Sequence, residues 1–328
     1  MANCKIYLLV ILLSLIMIGI VAVATRYQRE ISVASKRVDS LGSQVIETDC
    51  GPIEYARVGE GYPVLVVHGT LGGFDQGLLT AKPIIEAGFQ VISVSRFGYL
   101  RSPMPENASV DMQADAYACL LDTLGIQQAA VFTFSAGATS SIRFAARYPE
   151  RVSALILQSP AAPGNVYVAS PPKAVFTLLG SNFINWVMVT YFRPVMQRAI
   201  GVPEGFVITP EFETEVKDIL ATTIPSSGRI DGFFFDCYGV TSEFYEEISE
   251  TSPYSVYKIE TPVLVINALD DPLAIHENVR GLAEKFPNAN LFIVPNGGHP
   301  LLGQAEEVKS EVIQFLNSIL VMSDSSHR

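Results

Sequence analysis

The order of short apolar runs along the chain is the feature that most restricts its fold. Uninterrupted apolar runs alternate with segments whose apolar residues recur at helical spacing. Strands that are apolar throughout are buried on both faces, and their alternation with helices is typical of a parallel sheet. The sequence therefore predicts an α/β fold with a mostly parallel central sheet and helices on both faces. The predicted strands are 44–48, 53–58, 63–67, 90–95, 129–134, 152–158, 262–267 and 291–294, and the predicted helices are 110–124, 136–148, 276–286 and 304–320.

A block of about a hundred residues between the strands at 152–158 and 262–267 does not follow this alternation. Long structureless loops are uncommon in compact domains, so a block of this size predicts an inserted domain. We expect a helical cap at 163–259, inserted between a first core segment at 44–162 and a second at 260–322. Residues 323–328 are expected to form a frayed tail.

An apolar run at the N-terminus precedes the core. Residues 6–24 carry no charge and lie between Lys5 and Arg26. At 1.5 Å per residue this run is long enough to cross a bilayer, which predicts a single-pass membrane anchor at 1–24. The alternative is a secretory signal that is cleaved after the small residues at 22–24, which leaves a secreted or periplasmic protein. Residues 25–43 are polar and are expected to form a stalk.

Basic residues after the run favour an orientation with the N-terminus outside and the C-terminus inside. They are Arg26, Arg29, Lys36 and Arg37, and Lys5 and the α-amine oppose them. The difference is small, so the side of the membrane that holds the domain stays open.

Composition excludes several classes of protein. Apolar residues make up 49% of the 328 positions, which excludes a disordered chain. Acidic residues outnumber Lys and Arg by 33 to 22, so a nucleic-acid partner is not expected. Four cysteines are too few for a disulfide scaffold, and Cys119, in a predicted helix, is expected to be a buried thiol.

Ser135 is the candidate nucleophile. It lies between the predicted strand 129–134 and the helix that follows, and a serine at such a sharp turn presents its hydroxyl above the sheet. The positions two before and two after it are crowded: Gly137 fits this requirement, whereas Thr133 departs from it. The alternative role for Ser135 is an ordinary helix N-cap.

A serine nucleophile needs a base, and the base needs a carboxylate that orients it. His299 follows the last predicted strand in a loop with two preceding glycines, which makes it the candidate base. Asp271 follows the strand at 262–267 and is the preferred acid, with Asp270 as the alternate. Of the other histidines, His68 is expected to hold a loop, His276 to lie at an exposed helix end, and His327 to lie in the tail.

The developing oxyanion needs two fixed N–H donors. The amide of Ala136, directly after the nucleophile, is one candidate. The other is the amide of Thr70, in the turn that follows the strand at 63–67. The glycine-containing sequence of this turn does not match a phosphate-binding loop.

Taken together, these motifs resemble the α/β-hydrolase superfamily. His68-Gly69, Ser135, Asp271 and His299 occur in the order of that family's turn, nucleophile, acid and base. Residues 93–103 also resemble the family's Arg-x-Gly-x-Gly-x-Ser loop, although Tyr99-Leu100-Arg101 replaces its shorter glycine turn. The resemblance covers residues 44–320 and implies a hydrolase fold with an inserted cap.

The resemblance implies a serine hydrolase of the esterase or lipase type, because relatives with dehalogenase or epoxide hydrolase activity use Asp for attack. The uncharged cap stretch at 174–192 is expected to form cap core, and part of it to line an apolar acyl pocket or lie on a membrane. Arg229 is a candidate to hold a substrate carboxylate, with a surface ion pair as the alternative.

The expected function is cleavage of an ester-like, apolar acyl substrate through an acyl-enzyme. The alternatives are a carbon–carbon bond hydrolase, an acyltransferase, or a non-catalytic binding or receptor module, which the departure at Thr133 favours. No cofactor and no metal are expected, since no histidine–carboxylate cluster has metal-ligand spacing. The expected partners are a small-molecule or lipid-like substrate and a membrane, and the sequence leaves the oligomeric state open.

Overall fold

The computed structural model describes residues 2–163, 174, 177–178, 180–239 and 255–326 of the chain. Eight strands in this part form one sheet with the order β1-β2-β4-β3-β5-β6-β7-β8. Strand β2 pairs antiparallel with β1 and β4, and all other neighbours are parallel. The predicted fold class is confirmed. The strands are β1 Gln44–Thr48, β2 Gly51–Val58, β3 Pro63–Val67, β4 Gln90–Val94, β5 Ala129–Phe134, β6 Val152–Gln158, β7 Val263–Ala268 and β8 Ala289–Val294.

The described helices cover both faces of this sheet and form the cap. Their ends agree with local signals where the sequence provides them: the Ser109 side chain accepts a hydrogen bond from the Met112 amide at 3.1 Å and so caps α4. The helices are α1 Ala2–Ser40, α2 Phe74–Thr80, α3 Lys82–Glu86, α4 Val110–Thr123, α5 Gly137–Arg147, α6 Asn182–Tyr191, α7 Arg193–Ala199, α8 Pro210–Ala221, α9 Ile230–Phe234, α10 His276–Ala283 and α11 Ala305–Ser326. Helix α11 thus extends into the segment that the sequence assigns to the tail.

Strand β3 shows why the central strands are apolar at every position. Leu65 and Val67 belong to the core cluster on one face, which α4, α5 and α10 cover. Val64 and Val66 belong to the cluster on the other face, which α3 and α11 cover. Successive side chains of a strand point to opposite faces, so a strand covered on both sides needs an unbroken apolar run.

Helix α1 joins the apolar N-terminal run to the polar segment after it without a break. Among the described residues, Lys5–Ser40 is the one helix long and apolar enough to cross a membrane, with a mean hydropathy of 3.1 in its most apolar window. None of that window is buried against the protein. The polar segment predicted as a stalk is therefore helical up to Ser40, and its last turns pack on the domain.

The expectation for Cys119 as a buried thiol is wrong. Cys119 on α4 forms a disulfide with Cys50, which lies in the turn between β1 and β2. The two cysteines are 69 positions apart, and their Cα atoms are separated by 5.9 Å. The odd number of cysteines beyond Cys4 concealed this bond, because Cys237 lies outside it.

The cap helices α6 to α9 lie between β6 and β7, inside the predicted insertion. Parts of that insertion, residues 164–173 and 240–254, lie outside the described residues. Two members of the apolar stretch at 174–192, Phe176 and Leu179, also lie outside them, as does His327. Within the stretch, α6 begins after Ser181, whose side chain accepts from the Ile184 amide at 3.1 Å.

Candidate active site

Ser135 lies at the sharp turn between β5 and α5. Its φ angle is +53°, a left-handed conformation that is unusual for a residue with a side chain. The turn is held because the Ser135 amide donates to the carbonyl of Gln158, at the end of β6, at 3.0 Å. Strained backbone of this kind persists only where the surroundings impose it, and here it directs the hydroxyl out of the sheet.

The crowding next to Ser135 explains the residues two positions before and after it. A Cβ at Gly137 would lie 2.6 Å from the carbonyl oxygen of His68 and 2.6 Å from Thr133 Oγ1, so any side chain there would clash. Thr133 itself is buried, and its hydroxyl donates to the Val67 carbonyl at 3.3 Å. The threonine is thus accommodated by a hydrogen bond to the neighbouring strand.

His299 reaches Ser135 from the loop after β8. Its Nε2 atom lies 2.8 Å from Ser135 Oγ. Its backbone is fixed on both sides, because the His299 amide donates to the Gly201 carbonyl of the cap at 3.0 Å and the His299 carbonyl accepts from Ser159 Oγ at 2.8 Å. The two preceding glycines have φ angles of +116° and +62°, which favour glycine.

Asp271 contacts the opposite side of the imidazole. His299 Nδ1 lies 2.9 Å from Asp271 Oδ2 and 3.2 Å from Oδ1. The carboxylate is buried, and it accepts from the amides of Leu273 and Ala274, each at 2.8 Å. These amides fix the carboxylate in place. The carboxylate accepts a hydrogen bond from Nδ1–H of His299, and this keeps the proton on Nδ1 and leaves Nε2 available to accept the serine proton.

Asp270, the alternate acid, has a different set of partners. Its oxygens accept from the amide of Gly298 at 2.9 Å and from the amide of Gly297 at 3.3 Å. It therefore holds the loop that carries His299 without touching the imidazole itself. Two adjacent aspartates after one strand thus contact different parts of the same loop.

The two predicted oxyanion donors, Thr70 and Ala136, lie in two turns that meet at Ser135. Gly69, in the turn before Thr70, would place a Cβ 3.0 Å from Ser135 Cβ, which shows how closely the two turns approach. The Gly69 amide is held by Gln76 Oε1 at 2.8 Å. Neither the Thr70 amide nor the Ala136 amide has a hydrogen-bond partner among the residues that the structure describes. Both are therefore available to a substrate oxygen.

His68 holds this turn as a neutral imidazole. Its Nδ1 lies 2.7 Å from the Gly69 carbonyl, and its Nε2 accepts from the Arg96 amide at 3.0 Å. Full burial and the nearby Arg96 guanidinium hold the pKa of His68 well below its ordinary value. The tautomer with the proton on Nδ1 satisfies both contacts, which fits the loop-holding role predicted from the sequence.

Two buried ion pairs join the core to the cap, and neither was predicted. Arg96 donates two hydrogen bonds to Asp236, at 2.5 and 2.7 Å. Arg229 donates to both oxygens of Asp75, each at 2.9 Å, and to the Gly72 carbonyl of the turn that carries Thr70. Arg229 thus makes neither a substrate contact nor a surface ion pair in this structure. The partners are 140 and 154 positions apart, so no local signal connects them.

Two other expectations concern His276 and metal ligands. His276 opens α10 but is buried, with Arg280 Nη2 3.2 Å from its Nε2, so its predicted exposure is wrong. Over the part of the chain that the structure describes, no group of three or more His, Cys, Asp or Glu is placed to hold a metal ion.

Comparison with known families agrees with the fold. The family model for the α/β hydrolase fold matches residues 62–205, and a second model, for TAP-like proteins, matches residues 232–322. The two matches lie on either side of the middle of the cap. The chain belongs to the α/β-hydrolase superfamily and is a hydrolase.

The names of the relatives refer to different substrates. A poly(3-hydroxyalkanoate) depolymerase of Ectopseudomonas oleovorans is 29% identical over 83% of this chain and 92% of its own length. A 2-hydroxy-6-oxo-6-phenylhexa-2,4-dienoate hydrolase of Comamonas testosteroni is 32% identical, over 39% of this chain and 46% of its own. Among solved structures, an α/β hydrolase fold protein from Nakamurella multipartita superimposes with a TM-score of 0.68 at 25% identity, covering 83% of this chain and 98% of that one.

Proposed function

We propose that this protein is a serine hydrolase that cleaves an ester-like, apolar acyl substrate. The observation that carries the proposal is the continuous hydrogen-bonded series from Ser135 Oγ to His299 Nε2 at 2.8 Å and from His299 Nδ1 to Asp271 Oδ2 at 2.9 Å. A serine hydroxyl is a weak nucleophile until a base accepts its proton, and this series provides the base and its orienting carboxylate.

In the first half-reaction, Ser135 Oγ attacks the acyl carbon while its proton passes to His299 Nε2. The carbonyl oxygen becomes an oxyanion that accepts from the amides of Thr70 and Ala136. Asp271 stabilises the imidazolium. His299 then returns the proton to the leaving alcohol, the ester C–O bond breaks, and the acyl group remains on Ser135.

In the second half-reaction, a water molecule takes the place of the alcohol. His299 accepts its proton as the water oxygen attacks the acyl carbon, and the oxyanion forms again between the same two amides. The C–O bond to Ser135 breaks, Ser135 recovers a proton from His299, and the carboxylic acid leaves.

The preference for an uncharged acyl group is supported by the pairing of the two buried arginines near the turns. Arg96 is bonded to Asp236, and Arg229 is bonded to Asp75. Neither guanidinium is free to bind a substrate carboxylate. The similarity to a depolymerase of poly(3-hydroxyalkanoate), whose units are joined by ester bonds, supports the same class of bond.

Carbon–carbon bond hydrolysis is the second candidate, and the similarity to a dienoate hydrolase favours it. It would use the same serine, histidine and oxyanion amides with a carbon leaving group. Comparing turnover of an uncharged ester with turnover of a 2-hydroxy-6-oxodienoate separates the two candidates. The pairing of Arg229 predicts a preference for the ester.

We further propose that α1 anchors the protein in a membrane and that its catalytic domain lies outside the cytoplasm. The anchor is supported by the length and hydropathy of α1. The location is supported by the Cys50–Cys119 disulfide, since such bonds persist in oxidising compartments. This orientation opposes the weak charge bias after the apolar run, but large domains are translocated largely regardless of flanking charge.

A fluorophosphonate probe tests the catalytic proposal. The full chain should label, and Ser135→Ala should not. Ser141→Ala is the control and should label like the parent, because Ser141 lies on α5, the helix that follows Ser135, and outside the hydrogen-bonded series. Ester turnover by Ser135→Ala should fall by about 10⁴-fold or more. If the parent fails to label or Ser135→Ala labels equally, the protein is better described as a binding module.

Two measurements test the location. Carbonate extraction should leave the protein in the membrane pellet, whereas release into the supernatant would favour a cleaved signal. In intact cells, an impermeant maleimide should label the protein only after reduction of the disulfide. Cys237 should contribute little to this signal because burial raises its pKa to about 12. Labelling that reduction does not increase would place the domain in the cytoplasm, since Cys4 would then be the cysteine outside the cell.

A further inference from the structure

The polar end of α1 packs against the first cap helix, α6. The Tyr27 ring lies edge-on to Phe183, with centroids 5.2 Å apart, and to Trp186 at 5.4 Å. Trp186 Nε1 donates to Glu30 Oε2 at 2.7 Å. Arg26 lies 5.4 Å from the centre of the Tyr191 ring and 3.3 Å from its hydroxyl. These contacts fix the cap relative to the axis of α1.

The position of these contacts along α1 places α6 at the level of the membrane surface. The uncharged run ends at Ala24, and Arg26 is the first charge after it. At 1.5 Å per residue, Tyr27 lies about 4.5 Å beyond the end of the run. The headgroup region on each side of a bilayer is about 5–7 Å thick. An anchor that spans the bilayer with this run therefore holds α6 within the headgroups.

The cap presents apolar aromatic side chains at this level. Phe183, Tyr191 and Phe192 are exposed to 43%, 49% and 50%, although each is large enough to fill a core position. Aromatic residues are enriched at the membrane–water interface, where one part of the ring is in apolar surroundings and its edge or hydroxyl is hydrated. Arg26, beside Tyr191, is paired with Glu30 at 2.8 Å, and the other N–H groups of its guanidinium suit lipid phosphates.

We propose that Phe183, Tyr191 and Phe192 form a membrane-contact patch that rests in the headgroup region of the same bilayer that holds α1. This inference rests on the proposed anchor and extends it from a tether to a fixed orientation of the cap. The cap also contacts the active site, since the Gly201 carbonyl accepts from the His299 amide at 3.0 Å. The orientation thus brings the cap next to a source of apolar esters.

Fluorescence quenching by brominated lipid tests the patch, because Trp186 is the single tryptophan of the chain. In the full-length Trp186→Phe background, a tryptophan is placed either in the patch, by Phe192→Trp, or at a matched exposed apolar position on β1, by Val45→Trp. Val45 is 42% exposed and lies on the edge strand of the sheet. Both proteins are reconstituted in phosphatidylcholine vesicles with and without acyl-chain-brominated lipid.

The patch predicts that the Phe192→Trp protein loses roughly half of its fluorescence to brominated lipid and the Val45→Trp protein almost none. Equal quenching at both positions, in protein that stays in the carbonate pellet, overturns the patch and leaves the anchor intact. Release by carbonate overturns the anchor and the patch together. Turnover of a soluble ester by each variant reports folding independently of either outcome.

A second measurement does not depend on the Trp186→Phe background. The variant Phe183→Gln/Phe192→Gln should lose roughly tenfold in turnover of an ester dissolved in vesicles while its turnover of a soluble ester stays near that of the parent. Val45→Gln is the matched control and should change neither rate. An equal loss on both esters, or no loss on either, contradicts the membrane contact.

Discussion

Replacement of Asp75 by Asn tests whether the buried ion pair holds the cap on the core. Asp75 and Arg229 both have fully buried side chains, and the carboxylate accepts two hydrogen bonds of 2.9 Å from the guanidinium. Arg37, at the end of α1, adds a third at 2.8 Å but is 31% exposed. Asn removes the negative charge and turns one acceptor into a donor, which leaves Arg229 charged in a buried position.

Breaking a buried pair by removing one partner typically costs about 3–5 kcal/mol, because the remaining charge has no compensation. The pairing with Arg37 adds less than the pairing with Arg229, because Arg37 is 31% exposed and solvent screens its charge. We expect Asp75→Asn to lower the free energy of unfolding by about 3–5 kcal/mol and the Tm by about 5–15 °C. Urea unfolding of the full chain in detergent, followed by circular dichroism, measures the change.

The double variant Asp75→Leu/Arg229→Met removes both buried charges. Apolar replacement of a buried pair is often close to neutral, so this variant should be more stable than Asp75→Asn alone. Lys82→Gln is a control, because it breaks an ion pair with Glu86 in which both side chains are exposed. If Asp75→Asn costs less than about 1 kcal/mol, or if the double variant is the less stable, the buried pair does not stabilise the closed cap.

Three further predictions concern a titration, a glycine and the disulfide. His68 stays neutral in the fold, so below the unfolded pKa of about 6.5 the unfolding free energy should fall by about 1.4 kcal/mol per pH unit, and His68→Gln should flatten this slope. Gly137→Ala should abolish ester turnover and destabilise the fold, because the added Cβ would lie 2.6 Å from the His68 carbonyl oxygen. Gly281→Ala on α10 is the control: no atom lies within 4 Å of the added Cβ, so this variant should stabilise the fold by about 0.5–1 kcal/mol. Cys50→Ser should lower the unfolding free energy by about 2–4 kcal/mol, since the bond closes a long loop.

Each of these predictions has an outcome that contradicts it. The depressed pKa of His68 makes its stabilising contribution full above pH 6.5 and smaller below it, so a parent and a His68→Gln protein with parallel pH profiles would refute the argument. Normal activity of Gly137→Ala would show that the turn is not crowded. Equal stability of Cys50→Ser and the oxidised parent would mean that the bond does not form in the native protein.

Local pattern was sufficient to predict most of the sheet. All eight strands begin and end within two residues of the predicted positions, and the largest differences are at the starts of β2 and β8, which each begin two residues earlier than predicted. Apolar periodicity and turn residues lie within a few positions of the element that they specify, so they can be read without knowing the fold. The candidate nucleophile was predictable for the same reason, because Ser135 follows a strand directly and precedes a helix.

The choice between two adjacent acids required the structure. Asp270 and Asp271 follow the same strand, and both have backbone amides as partners. In the structure Asp271 lies against His299 Nδ1, whereas Asp270 holds the glycines before it. His299 lies 28 positions after Asp271. The aspartate that faces it is decided by the paths of the loops after β7 and β8, and neither path follows from the local sequence.

The sequence by itself determined the α/β sheet, the helical spacing, the uncharged N-terminal run and the order of the serine, acid and histidine. Each of these depends on residues close together in the chain. Only the tertiary structure decided the Cys50–Cys119 bond and the pairing of Arg229 with Asp75, whose partners lie 69 and 154 positions apart. Partners this far apart are brought together by the packing of separate elements, which places the turn after β1 on α4 for the cysteines and the cap on the core for the charges.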